Sequence, residues 1–134
     1  MSLWLEPIEM PEDTPEGKYD YFLLRDGERD EVGDFLKSLQ PEDRDIFYDR
    51  FRVTSVRGKD NMNPGSFRNL HGYGDLYEFK TGRGYRIACF FSDKRCILVE
   101  GWRKETDRAT NRDKRSYERA QTRMRMFLDQ GEEL

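Results

Sequence analysis

Four cations stand where strand residues normally pack. Lys80, Arg86, Arg103 and Lys104 lie in or at the ends of the apolar segments of LYEFKTGRGYRIACFFSDKRCILVEGWRKET, Leu76 to Thr106. Burying a guanidinium or ammonium in a small sheet is costly unless it meets a counter-charge or a ligand. Phosphate suits rigid arginine forks, and apolar side chains beneath it can carry bases. The chemistry implied is binding of a phosphodiester. Other reaction classes drop out. A single histidine, His71, excludes a His-based zinc cluster and reads as a loop residue. Cys89 and Cys96 are too few for a metal site and read as two buried reduced thiols. The chain has no GxxxxGK[ST] phosphate loop and no GxSxG elbow, and Gly72, Gly74, Gly82 and Gly84 read as turn glycines. No metal and no organic cofactor is expected.

The elements that must position these residues are three antiparallel strands, at about 75–80, 84–91 and 96–102. The middle one has apolar residues on both faces, Ile87, Cys89 and Phe91 on one and Ala88 and Phe90 on the other, so it belongs inside the sheet. A two-residue turn at Asp93-Lys94 sets Arg95 opposite Ser92, Phe90 opposite Ile97, Ala88 opposite Val99 and Arg86 opposite Gly101. This register puts Arg86 and Arg103 on one face, with Gly101 leaving room in front of Arg86. An odd-length loop before Arg86 would add Lys80 and Glu78 to that face; a two-residue loop would turn them away. The competing arrangement is a structural ion pair of Arg86 with Glu78 or Glu100.

Upstream, Lys18 to Arg25 reads as a strand. Asp30 to Leu39 carries Val32, Phe35, Leu36 and Leu39 at helical spacing. Pro41 opens a second helix that presents Ile46, Phe47, Phe51 and Thr54 and ends near Gly58, so the two should form a helical hairpin. A last helix over 111–130, capped by Thr110 or Asn111, has an apolar face of Tyr117, Ala120, Met124, Phe127 and Leu128. Arg112, Arg115, Arg119 and Arg123 form a stripe beside it, read either as a solvated face or as a phosphate-facing one.

The chain has 134 residues, which fits one domain over 18–130, an acidic proline-rich arm at 1–17 and a tail at 131–134. Residues 1–50 carry 15 acidic and 6 basic side chains; residues 51–134 carry 12 and 18, for a net charge of −3. A basic second part suggests a polyanion partner, and the acidic arm could pack across it as a shield. No apolar run approaches a membrane span and no signal peptide is visible, so the expected compartment is the cytoplasm.

The element order and the motifs together carry a resemblance. The motifs are Leu76-Tyr77-Glu78-Phe79-Lys80, Gly84-Tyr85-Arg86-Ile87, and Ile97-Leu98-Val99 running into Gly101-Trp102-Arg103-Lys104-Glu105-Thr106. Tyr117-Glu118-Arg119-Ala120 and Arg123 follow on the last helix. Over residues 18–130 this resembles the RelE/ParE superfamily of toxins from toxin–antitoxin modules, and looks closest to the HigB-like, phage-derived branch. The resemblance implies an α+β fold, a small antiparallel or mixed sheet packed by an N-terminal helical hairpin, with a C-terminal helix. It implies metal-independent cleavage of mRNA on the ribosome by attack of the ribose 2′-OH, and an antitoxin as partner. Arg86 would stabilise the transition state, Arg103 and Lys104 would neutralise phosphate, Lys80 would sit beside them, and Glu78 would be the base; Arg112, Arg115 and Arg119 would bind RNA. The family's tyrosine or histidine just after the last strand has no counterpart here unless Tyr117 reaches back. That departure and the acidic balance motivate two alternatives, a non-catalytic phage accessory protein of the same fold and a ParE-like toxin acting on gyrase.

Overall fold

The computed structural model describes residues 3–11, 14, 16–104 and 110–130. Its strands are β1 (Leu3–Pro7), β2 (Asp20–Asp26), β3 (Phe67–Asn69), β4 (Tyr77–Lys80), β5 (Tyr85–Ser92) and β6 (Arg95–Arg103). Its helices are α1 (Glu31–Ser38), α2 (Pro41–Arg57) and α3 (Asn111–Gln130), with one 3-10 turn at Lys59–Asn61. The strands form one mixed sheet in the order β1-β2-β6-β5-β4-β3, in which only β2 and β6 run parallel. Glu105 and Thr106 of the quoted motif, the tail at 131–134 and parts of the arm lie outside the described residues.

Strand alternation sorts the apolar residues into two cores, one on each face of the sheet. Tyr21, Leu23, Phe67, Phe79, Ile87, Cys89, Cys96 and Leu98 face α1 and α2, which contribute Val32, Leu36, Phe47 and Phe51. Leu24, Ala88, Phe90, Ile97, Val99 and Trp102 face α3, which contributes Tyr117, Ala120, Met124 and Phe127. β5 is therefore apolar on both sides because both sides are covered. Asp30 caps α1 by accepting from the Gly33 N–H at 3.1 Å, and Pro41 opens α2 where a helix has no N–H to lose. Leu128, expected on the apolar face of α3, is instead exposed. Cys89 and Cys96 are both buried free thiols.

The segment expected as an arm supplies the outermost strand. β1 pairs antiparallel with β2, buries Leu3 and bonds Glu6 to Arg25 at 3.3 Å. It lies three strands from β5, so these residues do not shield Arg86.

The register between β5 and β6 departs from the expected one at a single place. Ser92 opposes Arg95, Phe90 opposes Ile97 and Cys89 opposes Leu98, but Ala88 then opposes Glu100, leaving Val99 as a bulge. Every later pair is displaced by one residue: Gly101 faces Ile87, Trp102 faces Arg86 and Arg103 faces Tyr85. Arg86 and Arg103 consequently lie on opposite faces, which corrects the expected pairing of the two. The space at Gly101 is also on the other side, where a Cβ would come within 2.4 Å of the Phe35 ring.

The end of β6 is tied to the start of β5 at Gly84, which has φ +92 and whose Cβ position would be 2.3 Å from the Lys104 carbonyl oxygen. Lys104 N–H donates to the Gly84 carbonyl at 2.6 Å. We predict that Gly84→Ala destabilises the protein by about 2–4 kcal/mol through a strained φ and a backbone clash. Gly82→Ala, with nothing within 4 Å, should stay within about 1 kcal/mol of wild type. Urea midpoints at unchanged m-value check both; equal losses would contradict this account of the turn.

Candidate active site

Cross-strand pairing brings the predicted site residues of β4 and β5 together, along with one that the sequence did not single out. Arg68 of β3 opposes Glu78 of β4, which opposes Ala88 of β5; two residues along, Lys80 opposes Arg86, which opposes Trp102. Five residues separate Lys80 from Arg86, the odd spacing that puts Lys80 and Glu78 on the face of Arg86. All of these side chains project on the α3 side of the sheet.

Glu78 is fully buried, and its Oε1 accepts from Arg68 Nε at 2.8 Å. Its Oε2 is buried with no partner. Arg86 bonds neither Glu78 nor Glu100. Its Nη1 donates to the carbonyls of Thr81 at 3.2 Å and Tyr85 at 3.0 Å, and its buried Nε has no partner. Lys80 Nζ donates to the Pro64 carbonyl at 3.3 Å. Burial pushes the Lys80 ammonium below its ordinary pKa, and the charges of Arg68, Arg86 and Lys104 push it the same way against the opposing pull of Glu78. Lys104 thus belongs electrostatically to this group.

α3 brings a tyrosine to the same side of the sheet. Tyr117 packs against Trp102 and Tyr73, with ring centroids 5.4 Å and 5.2 Å away. Its phenol pKa is raised to about 12, by burial first and then by the charges of Glu78 and Asp113, with Arg68 and Arg86 opposing them. A capping box sets the helix start. Thr110 Oγ1 accepts from the Asp113 N–H at 3.2 Å, and Asp113 Oδ2 accepts from the Thr110 N–H at 2.8 Å. Asp113 Oδ1 also accepts from Trp102 Nε1 at 3.2 Å, which fixes the helix to β6.

Arg103 is outside this group, stacked over Tyr85 on the opposite face with its guanidinium 5.3 Å from the ring centroid. The arginine stripe of α3 splits as well. Arg112 is exposed in the first turn of the helix. Arg119 and Arg123 hold the buried Glu100 at 3.1 Å and 3.2 Å, a structural role. Burial raises the Glu100 carboxyl pKa, and Arg119 counters it. Arg115 joins Arg119 and Arg123 in lining a cleft between α3 and the end of β2 with the start of α1. His71 is an exposed loop residue. Among the described residues no group of three or more His, Cys, Asp or Glu is placed to hold a metal, and no helix is long and apolar enough to cross a membrane.

Arg68 escaped notice because β3 is only three residues long and sits between glycine- and proline-rich turns. The one available signal was the alternation of Phe67, Arg68 and Asn69 ahead of Leu70. No family model matches the chain, and no curated protein shows significant similarity to it.

Two outcomes follow. Arg68→Met should cost about 3–5 kcal/mol, because it leaves the buried Glu78 carboxylate uncompensated, and adding Glu78→Leu should recover most of that; denaturant melts of both variants check this. In an ultraviolet titration, Tyr117 should ionise near its raised pKa of about 12, a step absent from Tyr117→Phe. The raised value means that its contribution to stability is complete below pH 10.0 and is lost as pH rises through about 12. Ionisation of Tyr117 near pH 10.0 would contradict its burial.

Proposed function

We propose that this protein is a metal-independent endoribonuclease of the RelE/ParE type, the toxin of a toxin–antitoxin module, with its N-terminal helix pair as the family's hairpin. The observation that carries the reading is the convergence of Lys80, Arg86 and Arg68 on one sheet face around Glu78, with Tyr117 supplied from α3. This arrangement supports attack of a ribose 2′-OH on its neighbouring phosphate: the new 2′-O–P bond closes a 2′,3′-cyclic phosphate, the P–O5′ bond breaks, and the 5′-oxygen leaves with a proton from water. Arg86 and Arg68 offer forked donors to the phosphorane-like transition state. Lys80 is the proton-transfer residue, because its depressed pKa raises the fraction of neutral amine able to accept the 2′-OH proton. Glu78, sealed beneath Arg68, orients that guanidinium rather than touching substrate. Arg103 plays no part in the transition state.

A second reading, a non-catalytic binding module of the same fold, is favoured by that sealing, since the one carboxylate of the site has no access to solvent. Induced expression separates the two. The endoribonuclease reading predicts growth arrest with cleavage of ribosome-bound mRNA, relieved by Arg86→Ala; harmless induction with intact mRNA would sink it.

With purified protein, Arg86→Ala should lower cleavage by about 10²–10³-fold, and Arg103→Ala by less than about threefold. Chelators should have no effect. Cleavage should rise with pH toward a Lys80 pKa below the ordinary 10.5. Lys80→Arg, which keeps the charge, should flatten that profile and cost about 10²–10⁴-fold. A Lys80→Arg enzyme with wild-type rate and profile would show that the residue supplies charge alone.

A further inference from the structure

Beside α3 lies a cleft of about 510 Å³ that the endoribonuclease reading does not use. One wall is the end of β2 and the start of α1, with Leu24, Arg25, Asp26, Arg29 and Glu31; the other is α3, with Arg115, Glu118, Arg119, Thr122, Arg123 and Met126; Leu3 of β1 completes it. Its volume lies in the range of small-molecule sites, and Leu3, Leu24 and Met126 give it an apolar floor.

Three of its five arginines are engaged within the protein. Arg25 bonds Glu6 and stacks on Trp4, Arg119 holds Glu100, and Arg123 spans Glu31, Glu100 and the Val99 carbonyl. The side chains of the other two, Arg29 from one wall and Arg115 from the other, meet no hydrogen-bond or ion-pair partner among the described residues. Burial depresses the Arg123 pKa, the Asp26 charge opposes that, and the like charge of Arg29 adds to it. The carboxylates of Asp26 and Glu118, again one per wall, accept no hydrogen bond from the described residues. The cleft therefore offers two anion-binding forks and two acceptors without hydrogen-bond partners among the described residues, together with an apolar floor.

We infer that this cleft is a binding site for a nucleoside monophosphate. A phosphate fits the Arg29 and Arg115 guanidinium forks. The planar base covers the Leu24 and Met126 floor, and its exocyclic N–H groups reach Asp26 or Glu118. A fatty-acid carboxylate would satisfy the arginines and floor but leave both acceptors unused, and inorganic phosphate would leave the floor bare. The site rests on its own geometry and not on the proposed endoribonuclease activity.

The test is a titration of the full-length protein with AMP, read by amide chemical shifts. Shifts should concentrate at residues 24–31 and 115–126, weaken with added salt, and persist in Lys80→Ala/Arg86→Ala, which separates this cleft from the cluster around Glu78. Arg29→Ala/Arg115→Ala, which removes two side chains without internal partners, should keep its far-ultraviolet spectrum and weaken AMP by about tenfold or more. Met126→Trp, which fills the floor, should abolish the response. Inorganic phosphate and octanoate should each bind at least about tenfold more weakly than AMP. No AMP response at millimolar concentration, shifts confined to the Lys80 and Arg86 region, octanoate or phosphate binding as well as AMP, or unchanged affinity in the double arginine variant would each overturn the proposal.

Discussion

One extra residue, Val99, determines what shares a face with what. Without a bulge, the register from Cys89–Leu98 would continue to Ile87–Glu100 and aim the Glu100 carboxylate into the phenylalanine-rich core under α1 and α2. An unpaired carboxylate there would cost several kcal/mol, whereas a bulge gives up about one ladder hydrogen bond, worth roughly 1 kcal/mol. The carboxylate decides the outcome. Displaced by one residue, Glu100 turns toward α3 and is clasped by Arg119 and Arg123. The same displacement brings Gly101 under the Phe35 ring, sets Trp102 beside Arg86 and puts Arg103 on the outer side.

The candidate site depends on that arrangement at second hand. Trp102, once on the α3 side, offers its indole N–H to Asp113, and Asp113 at the same time closes the helix cap with Thr110. This fixes the first turns of α3 against β6 and brings Tyr117 toward Glu78, Arg68 and Arg86. Besides Thr81 Oγ1, just past β4, two buried groups in this region have no partner, Glu78 Oε2 and Arg86 Nε, and they belong to adjacent strands on that face. One is an acceptor and the other a donor, and both are exceptions to the rule that buried polar groups are paired.

Much of this was legible in the chain. The three helices and the β4–β5–β6 run stood out because their periodicity is strong and their ends carry clear signals, Pro41 and Thr110 at helix starts and Asp93-Lys94 at the hairpin. The two-sided burial of β5 followed from apolar residues at consecutive positions. Three things did not show. A bulge leaves no compositional mark when the extra residue is an ordinary valine, so the faces of Arg86 and Arg103 were read as one. β3 is too short for a period to emerge, which hid Arg68. β1 sits in an acidic, proline-rich stretch whose composition argues for an arm, although its pairing with β2 is fixed by backbone hydrogen bonds and the burial of Leu3.

The most direct measurement is the set of interstrand nuclear Overhauser contacts between β5 and β6. The account predicts contacts that place Ala88 across from Glu100 and Arg86 across from Trp102, with Val99 unpaired. Contacts placing Ala88 across from Val99 and Arg86 across from Gly101 would return Arg103 to the face of Arg86 and contradict the site described above.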